Sequence, residues 1–251
     1  MSYFSYTSSL DIRERIDLVT PKLAWADGSS WNKVIPILEK AGHRVIAVQL
    51  PLHTLADDVD TVKRAIDLVA GPVTLVGHSD GGLVITNAAS SNPKVTGLVY
   101  LASFAPNEGQ SLSNFIDLSK LPNDLLIFDN GGFAYINPTM FQGAFAQDIN
   151  LAEAAIMAAV QEPINQSVLG EKSGPRRGNN CQLGIKFSEG DHMIPPDAER
   201  LFAKQMNATA TTLSINSSHA SPVSHPNETA QLILNATKGS NGLYNRPVLP
   251  K

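Results

Sequence analysis

Three residues of this chain have the types and spacing that suit nucleophilic chemistry: Ser79, Asp191 and His219. Ser79 stands in Gly77-His78-Ser79-Asp80-Gly81, with Gly82 directly after. An apolar strand pattern, Val73-Thr74-Leu75-Val76, runs into it, and residues 81–91 read as a helix that Asn92-Pro93 ends. Strand, sharp turn and helix are the context of a nucleophile elbow. Glycines flank the serine because a Cβ there would collide with neighbouring backbone. The turn exposes the hydroxyl at the carboxyl end of a sheet. It also sets the N–H of Asp80 at a helix start, where a developing oxyanion is favoured.

A serine hydroxyl is a weak nucleophile, so it needs a base, and the base needs an orienting acid. Behind an elbow of this kind the acid comes next in the chain and the histidine last. His219, in Asn216-Ser217-Ser218-His219-Ala220, follows the last strand pattern at 211–215, where a loop can carry it over Ser79. His225 precedes Pro226 and a helix start, and reads as a turn residue. His192 stands where the acid is expected, His78 is expected to point away from the hydroxyl, and His43 and His53 lie in upstream turns. Asp191, in Gly190-Asp191-His192-Met193-Ile194-Pro195-Pro196, follows a strand pattern at 183–187 and is the favoured acid. Its nearest competitors are Glu189 and Asp197, the latter better suited to open a helix at 196–205. Asp129 and Asp148 fall in an irregular stretch and suit the role poorly.

The elements that must position these residues alternate. Strand patterns at 44–50 and 95–103 and a helical stripe at 55–69 join those above, so an α/β fold is expected, its mostly parallel central sheet covered by helices on both faces. From 105 to 178 the alternation fails, with Pro106, Pro122, Pro138, Pro163, Pro175, a Gly131-Gly132 pair and an Ala-rich helix at 151–161. This stretch reads as a helical cap insertion within one domain spanning 1–251. Its aromatics Phe115, Phe128, Phe133, Tyr135, Phe141 and Phe145 line a pocket or form the cap's own core. A closing helix is expected at 227–237 and a loose tail from 239 to 251.

With 251 residues, 43% hydrophobic and 17% charged, the composition is that of a globular chain. A net charge of −4 leaves no basic surplus to meet phosphates, which argues against nucleic acid and anionic membranes as partners. Cys181 is the only cysteine, so no internal disulfide can form. The first ten residues lack a signal-peptide pattern, and no apolar run approaches the roughly 20 residues that span a bilayer, so a cytoplasmic location is expected. Sequons begin at Asn165, Asn207, Asn216, Asn227 and Asn235 and matter only in a secreted chain. No zinc-ligand spacing and no Gly-rich dinucleotide turn is present, so no metal or cofactor is expected.

In four stretches the chain resembles the small single-domain α/β-hydrolases related to plant esterases and hydroxynitrile lyases. These are Ala24-Trp25-Ala26-Asp27-Gly28-Ser29-Ser30-Trp31, residues 77–82, residues 189–196, and Ser218-His219-Ala220 with Ser224-His225-Pro226. The resemblance runs from residue 24 to about 238 and implies the α/β-hydrolase fold. It also implies Ser79, Asp191 and His219 as a triad, with the backbone N–H groups of Ala24 and Asp80 as oxyanion donors. Three departures stand out. Thr20-Pro21-Lys22-Leu23 replaces a strand ending in His-Gly, whose glycine lets the loop turn the Ala24 N–H toward the oxyanion. Asp80 replaces a common aromatic, and a carboxylate pointing inward there would oppose developing negative charge. Residues 174–184 lack the usual Trp-containing entry, which weakens the strand ahead of Asp191.

The implied activity is hydrolysis of a small carboxylic ester through an acyl-enzyme. Two alternatives stay open: a weakened or ligand-binding relative, and a C–C lyase of the hydroxynitrile lyase type, whose assisting lysine has no clear counterpart near Met193. The expected partner is a small-molecule ester, with a homodimer as an open alternative to a monomer.

Overall fold

The computed structural model describes residues 17–21, 24–176, 182–206 and 211–244. Six strands form one parallel sheet, in the order β2-β1-β3-β4-β8-β9. In chain order they are β1 (Asp17–Pro21), β2 (Arg44–Val48), β3 (Val73–Ser79), β4 (Val95–Ser103), β8 (Gln182–Ser188) and β9 (Thr211–Ile215). The helices outside the cap segment are α1 (Ile35–Lys40), α2 (Leu55–Asp67), α3 (Gly81–Ala89), α6 (Pro196–Gln205), α7 (Ser221–Ser224) and α8 (Pro226–Tyr244). Crossovers between parallel strands put these helices on the sheet's faces, so the central strands β3 and β4 are buried from both sides. Adjacent strand residues show this directly. Val19 and Leu75 join the apolar cluster that includes α2 and α3, while Leu18 and Val76 join the one formed with Trp31, Leu38, Leu232 and Ile233. That opposite pointing is the period-2 rule of a strand.

Local chemistry fixes the helix starts. Thr54 caps α2 by accepting from the Asp57 N–H, and Pro196 opens α6, where a missing N–H costs nothing. The elements agree closely with the sequence patterns at 95–103, 196–205 and 211–215. The strand ahead of Asp191 forms despite its unusual entry, pairing with β4 from Gly97↔Gln182 to Leu101↔Lys186.

Two boundaries differ from expectation. The segment between β4 and β8 contains helices α4 (Phe141–Phe145) and α5 (Leu151–Val160), but also a small antiparallel sheet, β5-β6-β7. Its strands are β5 (Leu126–Phe128), β6 (Phe133–Ile136) and β7 (Ile164–Asn165), so this cap segment is not purely helical. A hairpin explains it: Asp129 Oδ1 accepts from the N–H groups of Gly131 and Phe133 and turns the chain between β5 and β6. Second, α8 runs to Tyr244, past the expected end at 237 and into the stretch expected as a tail. Residues 245–251, Lys22-Leu23, Arg177, Cys181 and Asn207 lie outside the described residues. No helix among the described residues is long and apolar enough to cross a membrane.

Candidate active site

Ser79 ends β3 with φ at +56°, in the left-handed region that a non-glycine residue rarely enters. The strain is held by close packing. A Cβ at Gly77 would lie 2.6 Å from the Gly81 carbonyl oxygen, and one at Gly82 would lie 2.0 Å from Ser103 Oγ and 2.2 Å from the Phe104 carbonyl oxygen. Strand and helix can therefore meet closely enough to form the elbow only with glycine at both positions. The Ser79 carbonyl is pinned from β4, accepting from Ser103 Oγ at 2.7 Å and from the Phe104 N–H at 3.1 Å. Nothing in the sequence pattern singles out Ser103 for this work.

His219 and Asp191 meet. His219 Nδ1 lies 2.6 Å from Asp191 Oδ2, with both side chains fully buried. Since the carboxylate can only accept, Nδ1 carries the proton and Nε2 presents a lone pair. Asp191 is held in turn by its own loop, with Oδ1 accepting from the N–H groups of Met193 at 2.7 Å and Ile194 at 2.9 Å. His219 Nε2 is buried and makes no hydrogen bond, so its basic face is unspent.

The ring also sits against the residue that precedes Ser79. His78 Nε2 donates to the His219 carbonyl at 2.8 Å, and the two rings lie 4.9 Å apart. Burial, reinforced by His219 and Lys186, holds His78 well below the usual histidine range, so it stays neutral and structural. From the cap segment, Phe145 meets the His219 ring edge-on at 5.0 Å, and its carbonyl accepts from the Ala220 N–H. Of the other cap aromatics, Phe141 packs on Phe145 and Phe115 on Phe202, while Phe128 is half exposed.

The remaining candidates stand apart from this cluster. His225 caps α7 and lies 3.8 Å from Asp148, and His192 Nδ1 bonds the Gly143 carbonyl. Glu189 pairs with Arg200 and Ser214 at the surface, and Asp197 pairs with Arg200.

The Ala24 N–H faces the elbow but is already engaged, donating to Asp80 Oδ1 at 2.8 Å. Asp80 thus points inward, the orientation that opposes an oxyanion. Its side chain is buried, Oδ2 has no partner, and burial pushes its pKa up to about 6, against the pull of the Ala24 N–H. The next residue, Trp25, has φ at +63° and is tied to the cap segment at both ends. Its N–H donates to the Glu162 carbonyl and its indole N–H to the Ala134 carbonyl, each at 2.8 Å.

Behind Asp191 lie two buried ionisable residues that sequence reasoning missed. Lys186 on β8 is completely buried, its Nζ without a partner and its pKa lowered by burial to about 8. Glu199 on α6 accepts from the Ser188 N–H. Burial, with Asp191's charge next, raises its pKa to about 10, so it is protonated at neutral pH. The available signal was a lysine inside the otherwise apolar run at 183–187, a place where lysine is rarely buried without a task.

An elbow serine, a histidine on a buried carboxylate and a parallel sheet that carries both define a class of fold. The chain belongs to the alpha/beta hydrolase family, whose model matches residues 24–232. Among curated proteins it is 23% identical to a polyneuridine aldehyde esterase of Rauvolfia serpentina, over 81% of this chain and 89% of that one. It is 36% identical to a carbendazim hydrolyzing esterase of Nocardioides sp., over 44% of this chain and 50% of the relative. A solved pyrethroid hydrolase from Sphingobium faniae superposes with a TM-score of 0.74 at 22% identity, covering 89% of this chain and 98% of that one.

Proposed function

We propose that this protein is a serine hydrolase that cleaves a small carboxylic ester through Ser79, His219 and Asp191. The observation that carries this reading is the 2.6 Å bond from His219 Nδ1 to Asp191, which leaves Nε2 free in a ring packed against the residue preceding Ser79. Ser79 Oγ attacks the ester carbonyl and His219 Nε2 takes its proton. Asp191 keeps the ring in the right tautomer and stabilises the imidazolium. His219 then gives the proton to the leaving alcohol, and water, activated by the same histidine, releases the acid. Backbone N–H groups of Asp80 and Ala24 are the donors for the oxyanion. The named esterases among the relatives favour this substrate class over other acyl derivatives.

The test is hydrolysis of p-nitrophenyl acetate and butyrate by the wild type beside Ser79→Ala and His219→Ala. Activity lost in both variants supports the reading, whereas equal rates in folded wild type and variants sink it for these substrates. One observation favours a second reading, a weakened member of the family: the carboxylate of Asp80 already sits on the Ala24 N–H.

A further inference from the structure

The two N–H groups that an ester's oxyanion needs belong to Ala24 and Asp80, and a side chain of the protein has reached the first of them. Asp80 Oδ1 takes the Ala24 N–H at 2.8 Å. The N–H groups of Asp80 itself and of Gly81, at the head of α3, pull on the same carboxyl without a full hydrogen bond. Oδ2 is shut away from solvent, without a partner, in a side chain only 4% exposed. A buried carboxylate at a helix start, holding a loop N–H that an oxyanion needs, obstructs the oxyanion site.

We propose that Asp80 is a rate-setting residue of the ester reaction, its carboxylate occupying the oxyanion position so that a substrate carbonyl must displace it. The inference rests on the esterase reading above. An ionised carboxylate holds an N–H more strongly than a neutral ester carbonyl does, so the ground state favours the occupant. The transition state fares worse, because its new negative charge must form beside an existing one in a site shielded from water. Two events clear the position: the side chain swings out, or it takes a proton and loses its charge.

The second event ties turnover to pH. The titratable groups facing the Asp80 carboxyl are His219, whose charge stabilises the ionised form, and Asp58 on α2, buried with its own pKa raised to about 7. An uncharged Asp80 is favoured by lower pH, so wild-type turnover declines as pH rises through the Asp80 midpoint of about 6. Without the carboxyl, that alkaline decline is lost.

The experiment measures kcat and KM for p-nitrophenyl acetate from pH 5 to 9 for wild type, Ser79→Ala, Asp80→Ala, Asp80→Asn and Asp80→Ala combined with Ser79→Ala. Inhibition by phenylboronic acid is measured in parallel, since its tetrahedral Ser79 adduct puts an oxygen in the oxyanion position. Asp80→Ala is expected to raise kcat about 10²-fold at pH 8, the scale of one oxyanion donor regained, with little change in KM. The gain should vanish when Ser79 is also removed. Asp80→Asn, still able to accept from Ala24 but uncharged, should gain less and lose the alkaline decline. Boronate should bind Asp80→Ala at least about tenfold more tightly. If wild type hydrolyses ester in a Ser79-dependent way while both folded Asp80 variants are no faster at any pH, the proposal is overturned and the esterase reading stands. If no protein shows Ser79-dependent hydrolysis, both are overturned together.

Discussion

Two buried carboxyls, Asp191 and Asp80, face the same histidine, and their surroundings treat them in opposite ways. Asp191 sits in a loop shaped to receive it, with two backbone N–H groups on Oδ1 and the His219 ring on Oδ2. Asp80 has one full hydrogen bond and an oxygen with no partner, and its pKa rises to about 6. Burial is common to both; the number of donors differs. A carboxyl with three donors is held in place, whereas one with a single donor is a group that protons and substrates can dislodge.

The largest expected effect comes from spoiling the well-served side. Asp191→Asn keeps an acceptor for the Met193 and Ile194 N–H groups but offers His219 the wrong tautomer, so kcat should fall by about 10⁴ with the fold retained. Ester hydrolysis with circular dichroism as the fold check measures it. A drop under tenfold would mean that the pair does not act as drawn.

Next comes the poorly served side, read as stability. The folded-state pKa of Asp80 is raised from 3.8 to about 6, so its favourable neutral form is retained below pH 4 and stability is lost as pH rises toward 6. Asp80→Asn removes that loss. Its Tm should exceed wild type at pH 7.5 and approach it at pH 4, with an upper bound of about 3 kcal/mol at two pKa units. Equal Tm differences at both pH values would show that Asp80 ionises freely in the fold.

Smaller still is Ser103→Ala, which removes one of two donors to the Ser79 carbonyl and should cost about 1 kcal/mol in chemical denaturation. The smallest effect is expected for Glu199→Gln. Because Glu199 is already protonated below pH 10, the amide replaces a neutral group, and the activation and unfolding free energies should each shift by less than about 0.5 kcal/mol. A large loss would show that Glu199 is ionised beside Asp191.

The elbow was legible because strand, glycines and helix leave a pattern along the chain, and the sheet was legible because buried strands are continuous apolar runs. His219 and Asp191 were legible by order, each just past a strand end. What escaped is what depends on rotamers and tertiary packing. That Asp80 turns toward Ala24 follows from a side-chain angle, and no spacing encodes it. Ser103 and Lys186 acquire meaning only when β4 and β8 lie beside their neighbours. The hairpin of the cap segment did leave a signal, Asp129-Asn130-Gly131-Gly132 between two apolar stretches, but the surrounding prolines read as a break in pattern. At the other end, Gly239 and Gly242 look like helix terminators, yet α8 carries both.

The bond from His78 to the His219 carbonyl spans 141 positions of sequence, while that from His219 to Asp191 spans 28. Asp191 and His219 can therefore find each other within the last two strands, but they reach the elbow only after β8 has docked on β4 and β9 on β8. Contacts of such separation form late, because a long loop must close before they give anything back. A chain emerging from synthesis thus carries Ser79 for most of its length before His219 can reach it. In the proposed mechanism, reactivity at Ser79 is a property of the finished topology, and recovery of esterase activity during refolding would report the closing of the sheet's far edge.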